Sequence, residues 1–369
     1  MRKSLLVLAI LLILLALCVA AYSFWRLPKN EEGQVTVTDA LGRTIQIRTP
    51  INRVIITGSG AWPIITAAYM FPNAKNVLYG LSESLKVPLF QMIDSDITSK
   101  MVPNLAVNNP NVEEIVAAKP DVVILKSTMK STIGDSLEEL GINVVYVDFE
   151  NLDSYVRDVK VFGKIFMDDA RAEMIANYYN ETYHSILSRT LGGMEREKVL
   201  FLYYTTKGGT ISFNVPGRGW LQTFMIDTAG GNPLSKELAG TGWNKVSFEQ
   251  IASWNPDIIF VVTYSNSPAP SVVKAQLLNN ATWSGIAAVK NQRVYAVPDD
   301  CCNTAALGSW DSPGSRWILG LKWMARKINP HLFNDLDIAY EARKFYMEMY
   351  GLSEADAETV VKGITGDLK

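Results

Sequence analysis

Histidine is nearly absent from this chain, with two in 369 residues, His184 and His331. A protein that holds a bare transition-metal ion needs several imidazole or thiolate ligands. A three-histidine zinc or manganese site is therefore not expected, and both histidines read as surface or packing residues. Cysteine is almost as scarce, with Cys18, Cys301 and Cys302 the full set. Neighbouring cysteines rarely close an unstrained bridge, so there is no disulfide framework. An excess of one charge is also missing: 35 basic and 37 acidic residues, interspersed, give a net charge of −2. That leaves no electrostatic footprint for nucleic acid. Nucleophile elbow, His-Glu-x-x-His, phosphate loop and dinucleotide fingerprint are all lacking. The nearest glycine clusters, Gly58-Ser59-Gly60 and Gly217-Arg218-Gly219, have the wrong spacing. No catalytic residue and no cofactor are expected, so enzyme readings fall behind a binding role.

What the chain does contain is a repeat. Residues 112–121, with Glu113 and Glu114 at the start and Pro120-Asp121 at the end, run into Val122-Val123-Ile124-Leu125. Residues 248–257, with Glu249 near the start and Pro256-Asp257 at the end, run into Ile258-Ile259-Phe260-Val261. Apolar residues at spacings of three and four mark a helical face, proline halts the helix, and a β-branched run is what a parallel strand covered on both faces looks like. Two such copies, in a chain longer than the usual single core, imply two similar α/β lobes.

Around the repeat the punctuation is regular. Arg2 and Lys3 precede an apolar run from Leu5 to Ala21, which reads as a secretory signal or membrane anchor over residues 1–29. Leu15-Ala16-Leu17-Cys18 resembles a lipoprotein cleavage box, so an intact anchor or a lipidated Cys18 is expected, with the remainder on the extracytoplasmic side. Residues 30–150 form the first lobe: a hairpin around Asp39-Ala40-Leu41-Gly42, then strands at 54–57, 77–79, 122–125 and 144–147. Residues 151–192 are connecting helices. Asp153 opens one and Asp168-Asp169 the next, which runs without Gly or Pro to Gly192, about six turns. Residues 193–330 form the second lobe. It starts with a strand at 199–204, has loop chemistry at 207–210, 216–220 and 240–244, and carries a late strand at 294–297 capped by Asp299-Asp300-Cys301-Cys302. Ser312-Pro313 supplies an N-cap and first-turn proline for a helix through Trp317. A polar helical tail fills residues 331–369.

The hairpin with Asp39 and Arg43, the strand preceded by Arg53, the twin Glu-containing helices before Pro-Asp, the long helix and Trp310-Asp311-Ser312-Pro313 together resemble the substrate-binding proteins of ABC importers. The branch is the one that handles iron-siderophore complexes, cobalamin and haem, and the resemblance covers residues 35–350. It implies two Rossmann-like lobes joined by a single long helix, a ligand cleft between the lobes, and little closure on binding. It also implies partnership with an ABC permease and its ATPase. Glu113 and Glu249 match the positions where this family places one docking carboxylate per lobe, although a carboxylate is favoured at a helix N-terminus in any case.

Aromatic and polar residues populate the predicted strand-end loops. Ser59, Trp62, Lys126, Tyr204, Arg218, Trp243, Asn244, Tyr264, Trp310 and Asp311 are the candidate ligand contacts. Rings give large contact area with few rotors to freeze, and a few polar groups set orientation. Tyr203 and Tyr204 alternate, so one of them faces the cleft. Trp220, in a helix-like stretch, suits core or cleft equally. The composition suits a bulky metal chelate: an iron-siderophore first, with cobalamin, haem or another metal complex as alternatives. A membrane-anchored sensor or scaffold built on the same module is the alternative of another class.

Overall fold

The computed structural model describes residues 33–105, 108–192, 195–239, 242–301 and 308–368. The expected anchor, Cys18 and Cys302 lie outside the described residues. Among the described residues no helix is long and apolar enough to cross a membrane.

A hairpin of β1 (Gly33–Thr38) and β2 (Thr44–Thr49) comes first. Its turn is held by Asp39, whose carboxylate accepts the N–H groups of Leu41 and Arg43 and pairs with the Arg43 guanidinium at 2.7 Å. Four parallel strands follow, β3 (Val54–Ile56), β4 (Leu78–Tyr79), β5 (Val122–Lys126) and β6 (Val144–Val147), in the order β4-β3-β5-β6. Their side chains alternate between two cores. Val54, Ile56, Val122, Ile124, Val145 and Val147 enter one, while Ile55, Val123, Leu125, Val144 and Tyr146 enter the other. Continuous apolar runs are the price of covering both faces.

The second sheet contains β7 (Lys198–Thr205), β8 (Ser212–Pro216), β9 (Asn232–Pro233), β10 (Trp243–Val246), β11 (Ile258–Val262) and β12 (Val294–Ala296). Its order is β10-β8-β7-β11-β12, with β9 beside the start of β7. Strands β7, β11 and β12 are parallel, as in the first lobe. Strand β8 fills the stretch between the loops expected at 207–210 and 216–220, and β10 begins within the loop expected at 240–244. Gly208 and Gly209, both at positive φ (79° and 78°), turn the chain so that β8 folds back antiparallel on β7, and β10 then adds to β8.

The repeat holds down to its hydrogen bonds. Helices Val112–Ala117 and Phe248–Trp254 are each followed by a residue at positive φ, Lys119 (51°) and Asn255 (44°), directly before the proline. Proline crowds its predecessor out of the right-handed helical region, so the helix stops there. The next residue then ties the new strand to the first strand of its lobe. The Asp121 carboxylate accepts the N–H groups of Asn52 and Arg53 at 2.7 and 2.9 Å, and that of Asp257 accepts the N–H of Lys198 at 2.8 Å. Pro-Asp is thus a stop followed by a staple.

Five helices place these sheets relative to one another: α1 (Ala61–Ala68), α2 (Leu152–Ile165), α3 (Asp169–Thr190), α4 (Leu221–Thr228) and α5 (Trp317–Ile328). Asn151, rather than Asp153, caps α2, because Asn151 and Ser154 bond each other's backbone reciprocally. The 22 residues of α3 span about 33 Å. Near its start Arg171 donates to the Met70 carbonyl of the first lobe; near its end Tyr183 stacks on Phe224 at 5.5 Å and Thr190 donates to the Thr228 carbonyl of the second. Helix α5 begins at Trp317, later than Ser312-Pro313 suggested. Residues 312–316 form a turn pressed on α1 so closely that a Cβ on Gly314 would lie 2.5 Å from the Thr66 hydroxyl. The tail folds into α6 (Ile338–Tyr350) and α7 (Glu354–Gly363). One continuous apolar core runs from Val54 and Ile56 through Ala172, Ile175 and Tyr179 of α3 to Ile258 and Phe260. The lobes therefore share a core rather than meeting across solvent.

Candidate functional site: an aromatic cleft between the lobes

In the first sheet the chain leaves β3 towards β4 on one side and returns to β5 on the other. Such a switch point opens a crevice beyond the carboxyl ends of the strands, where ligands of open α/β sheets bind. Gly58 and Gly60, at φ 82° and 79°, carry the chain from β3 into α1 with Ser59 between them. Neither α1 nor α4 has a side-chain cap at its N-terminus. Ser59, Gly60, Trp62 and Pro63 from this loop, Lys126 and Thr128 after β5, and Glu150 after β6 line one side of a cavity of about 510 Å³. Gly219 and Trp220, entering α4, line it from the second lobe, together with Pro313. A larger hollow of about 750 Å³ lies at the hairpin root and one of about 500 Å³ at the base of the second sheet, both away from the strand ends. The interlobe cavity receives loops from both lobes.

Trp220 is the cleft end of a run of rings. Its ring centroid lies 5.0 Å from that of Trp243, Trp243 lies 5.2 Å from Tyr203, and Tyr203 lies 5.0 Å from Tyr264. These are the separations at which offset and tilted rings attract. The Tyr264 hydroxyl donates to Asp311 at 2.5 Å, and Gln222 and Ser309 donate to the same carboxylate at 3.0 and 2.5 Å. Asp311 is fully buried, and burial pushes its carboxyl above the usual range while the three donors pull it back. Burial likewise pushes the Tyr264 phenol well up. Asp311 is thus the anchor that sets the ring wall from behind.

Ser59, Trp62 and Lys126 of the sequence candidates meet in the cavity, and Trp243 and Tyr264 stand in the wall next to Trp220. Four others do not reach it. Tyr204 shares a strand face with Leu200 and Leu202 and is buried in the outer core beside Phe213; Tyr203 is the residue that turns towards the wall. Trp310 is fully buried in the shared core. Arg218 is largely exposed and pairs with Glu237 at 2.9 Å. Asn244 sits on β10 opposite Val215, and its amide donates to Gly242. Trp220, which suited core or cleft equally, and Tyr203, the alternative to Tyr204, take the cleft side, while Thr128 and Glu150 carried no sequence expectation. A signal for Trp220 did exist, since Gly58-Ser59-Gly60 and Gly217-Arg218-Gly219 each lead into a helix with a tryptophan at its entry.

Glu113 and Glu249 are exposed residues in the first turns of their helices, whose caps are Asn111 and Ser247. The Glu249 carboxyl is held below the usual range by its own N–H and by the Ser247 hydroxyl. Each helix leads through a tight turn into a parallel strand, so its N-terminus lies towards the carboxyl ends of the sheet, on the cleft side. His184 and His331 are both exposed and away from the cleft.

The family model described as periplasmic binding protein matches residues 63–301. The chain belongs to that family. It is similar to the molybdate-binding protein MolA of Haemophilus influenzae, 22% identical over 342 residues, covering 86% of this chain and 91% of that one. It is also similar to an ABC transporter substrate-binding lipoprotein of Bacillus subtilis, YvrC, 23% identical over 320 residues, with 83% and 89% covered. A crystal structure of a periplasmic solute binding protein from Veillonella parvula superposes with a TM-score of 0.73 at 27% identity, covering 89% of this chain and 97% of that one. The two-lobed architecture and the role of substrate-binding component of an ABC transporter follow.

Proposed function

We propose that this periplasmic binding protein captures an anionic, ring-bearing metal chelate, an iron-siderophore complex in the first place, and presents it to its permease from an extracytoplasmic membrane anchor. The ring wall carries the reading. Trp62 on one lobe and Trp220, backed by Trp243, Tyr203 and Tyr264, on the other present flat apolar faces across a cavity sized for a drug-like ligand. The polar groups among them are Ser59, Thr128, the Lys126–Glu150 pair and the uncapped N-termini of α1 and α4, and the helix ends favour negative charge. The side chains supply hydroxyl, indole and ammonium groups and one carboxylate already paired with Lys126, with no imidazole or thiolate, so a metal would arrive inside its own chelator. A second reading, a small oxyanion, draws on the similarity to the molybdate-binding protein of Haemophilus. The cavity of about 510 Å³ is far larger than a tetra-oxo anion needs.

Absorption and mass spectra of material copurifying with the full chain test the choice: a charge-transfer band with a chelate mass supports the first reading, and molybdenum without organic ligand the second. Trp220→Ala should weaken binding of the copurified ligand by about 1–3 kcal/mol with the fold intact. Unchanged affinity, measured by fluorescence titration, would remove Trp220 from the site.

Docking is part of the same proposal. Glu113 and Glu249 occupy matching places in the two copies of the repeat, one per lobe, and are free to form charge-assisted pairs with permease arginines. The double exchange Glu113→Ala, Glu249→Ala should leave ligand affinity unchanged and impair uptake more than either single exchange, with high salt reproducing part of the defect. Normal uptake by the double variant would reduce both residues to helix-terminus carboxylates.

A further inference from the structure

Lys126 and Glu150 both line the cleft, and they pair with one another. The two ends of the pair are held very differently. Lys126 follows directly on the buried run of β5, its side chain is 16% exposed, and its stem passes so close to Gly60 that a Cβ there would lie 2.9 Å from Lys126 Cδ. Behind it, Asp148 and Asp158 favour the charged ammonium against the burial that lowers its pKa. Both of those carboxylates are pinned. Asp158 accepts the N–H groups of Asp148 and Phe149 at 2.7 and 2.9 Å, and Arg157 grips Asp158 and Asp148 at 2.7 and 2.9 Å. Glu150 is different. Its side chain is 44% exposed, and among the described residues its carboxylate has no partner other than Lys126.

We propose that Glu150 is a resident place-holder for the ligand's anionic group: it occupies Lys126 while the cleft is empty and swings out when that group takes its place. The inference rests on the reading of this cleft as the ligand site. A fixed, desolvated ammonium left without a counter-ion is costly, and Glu150 removes that cost from the empty protein. Binding then exchanges the Glu150 carboxylate for the ligand's anionic group rather than adding a new ion pair. Ligands whose anionic group cannot out-compete a tethered carboxylate are rejected, so the device sets specificity by a repulsive element as well as an attractive one. The same tether assists release, because Glu150 stays next to Lys126 at high effective concentration.

Two measurements on the full chain in detergent test it. In the empty protein, reductive methylation followed by peptide mass spectrometry should modify Lys126 slowly in the wild type and several-fold faster in Glu150→Gln. Equal rates overturn the proposal without reference to any ligand. In the second, ferric tris-catecholate is titrated against tryptophan fluorescence. Glu150→Gln should bind about tenfold more tightly than the wild type, the scale of one charge-assisted hydrogen bond. Lys126→Met should bind more weakly, and adding Glu150→Gln to Lys126→Met should restore nothing. Binding with the same affinity in Glu150→Gln and wild type overturns the exchange alone. No binding by any of the four proteins overturns the chelate reading of the cleft, and the exchange with it.

Discussion

Trp310→Ala is expected to lower stability by about 3–5 kcal/mol, the cost of emptying a fully buried tryptophan site. Trp310 has no exposed surface, its backbone N–H donates to the Pro298 carbonyl at 3.0 Å, and its own carbonyl lies 2.1 Å from where a Cβ on Gly320 of α5 would stand. The backbone of residue 310 and the helix are therefore in direct contact, and the indole fills the space beside them. Urea denaturation gives the check, with the midpoint moving and the slope constant. Trp220→Ala makes the contrast, since Trp220 is half-buried at the cleft and its loss should show in affinity rather than in the midpoint. A Trp310→Ala protein that unfolds within about 1 kcal/mol of the wild type but binds ligand poorly would return Trp310 to the cleft.

The contrast shows what kind of information the sequence carries here. Strand positions were legible because parallel strands buried on both faces need unbroken β-branched runs, and 54–57, 122–125, 144–147 and 294–297 appear within a residue or two of where that rule places them. The Pro-Asp repeat was legible because backbone geometry at proline is local. The cleft was legible only in part. Loop membership identified Ser59, Trp62 and Lys126, whose positions follow directly from the ends of β3 and β5. It could not separate Trp310 from Trp220, because both lie in irregular stretches and burial depends on which distant surface packs on each. Tyr203 and Tyr204 show the same limit from another side. Alternation establishes that the two point oppositely, but which face looks towards the cleft is decided by the sheet's partners, the shared core on one side and Trp283, Ile286 and their neighbours on the other. Glu150 has no local signature, since its importance lies in meeting Lys126 from the end of a neighbouring strand.

Arg316→Met should cost about 3–5 kcal/mol as well, by leaving a buried carboxylate without its counter-ion. Arg316 Nε lies 2.8 Å from Asp300 Oδ2, and the two side chains are 3% and 0% exposed. Asp300 also accepts the Tyr346 hydroxyl at 2.5 Å, Arg316 donates to the Tyr350 hydroxyl at 3.0 Å, and that hydroxyl donates to the Thr66 carbonyl of α1 at 3.1 Å. The chain of bonds thus runs from the end of the second sheet through α6 to the first lobe. It lies alongside α3 as a second tie between the lobes, and the shared apolar core fills the space around both. Two ties and a common core leave little freedom for a hinge, so scattering profiles of the wild type with and without ligand should superimpose. In Arg316→Met the same comparison should reveal a looser particle without ligand, because Tyr350 loses the Arg316 donor and Asp300 its counter-ion together. Exchanging Asp300→Leu in the same protein should recover much of the stability, since removing both charges relieves the penalty that removing one creates. Should the single exchange leave both midpoint and scattering unchanged, the buried pair would carry no part of the lobe geometry, and α3 with the core would have to hold it alone.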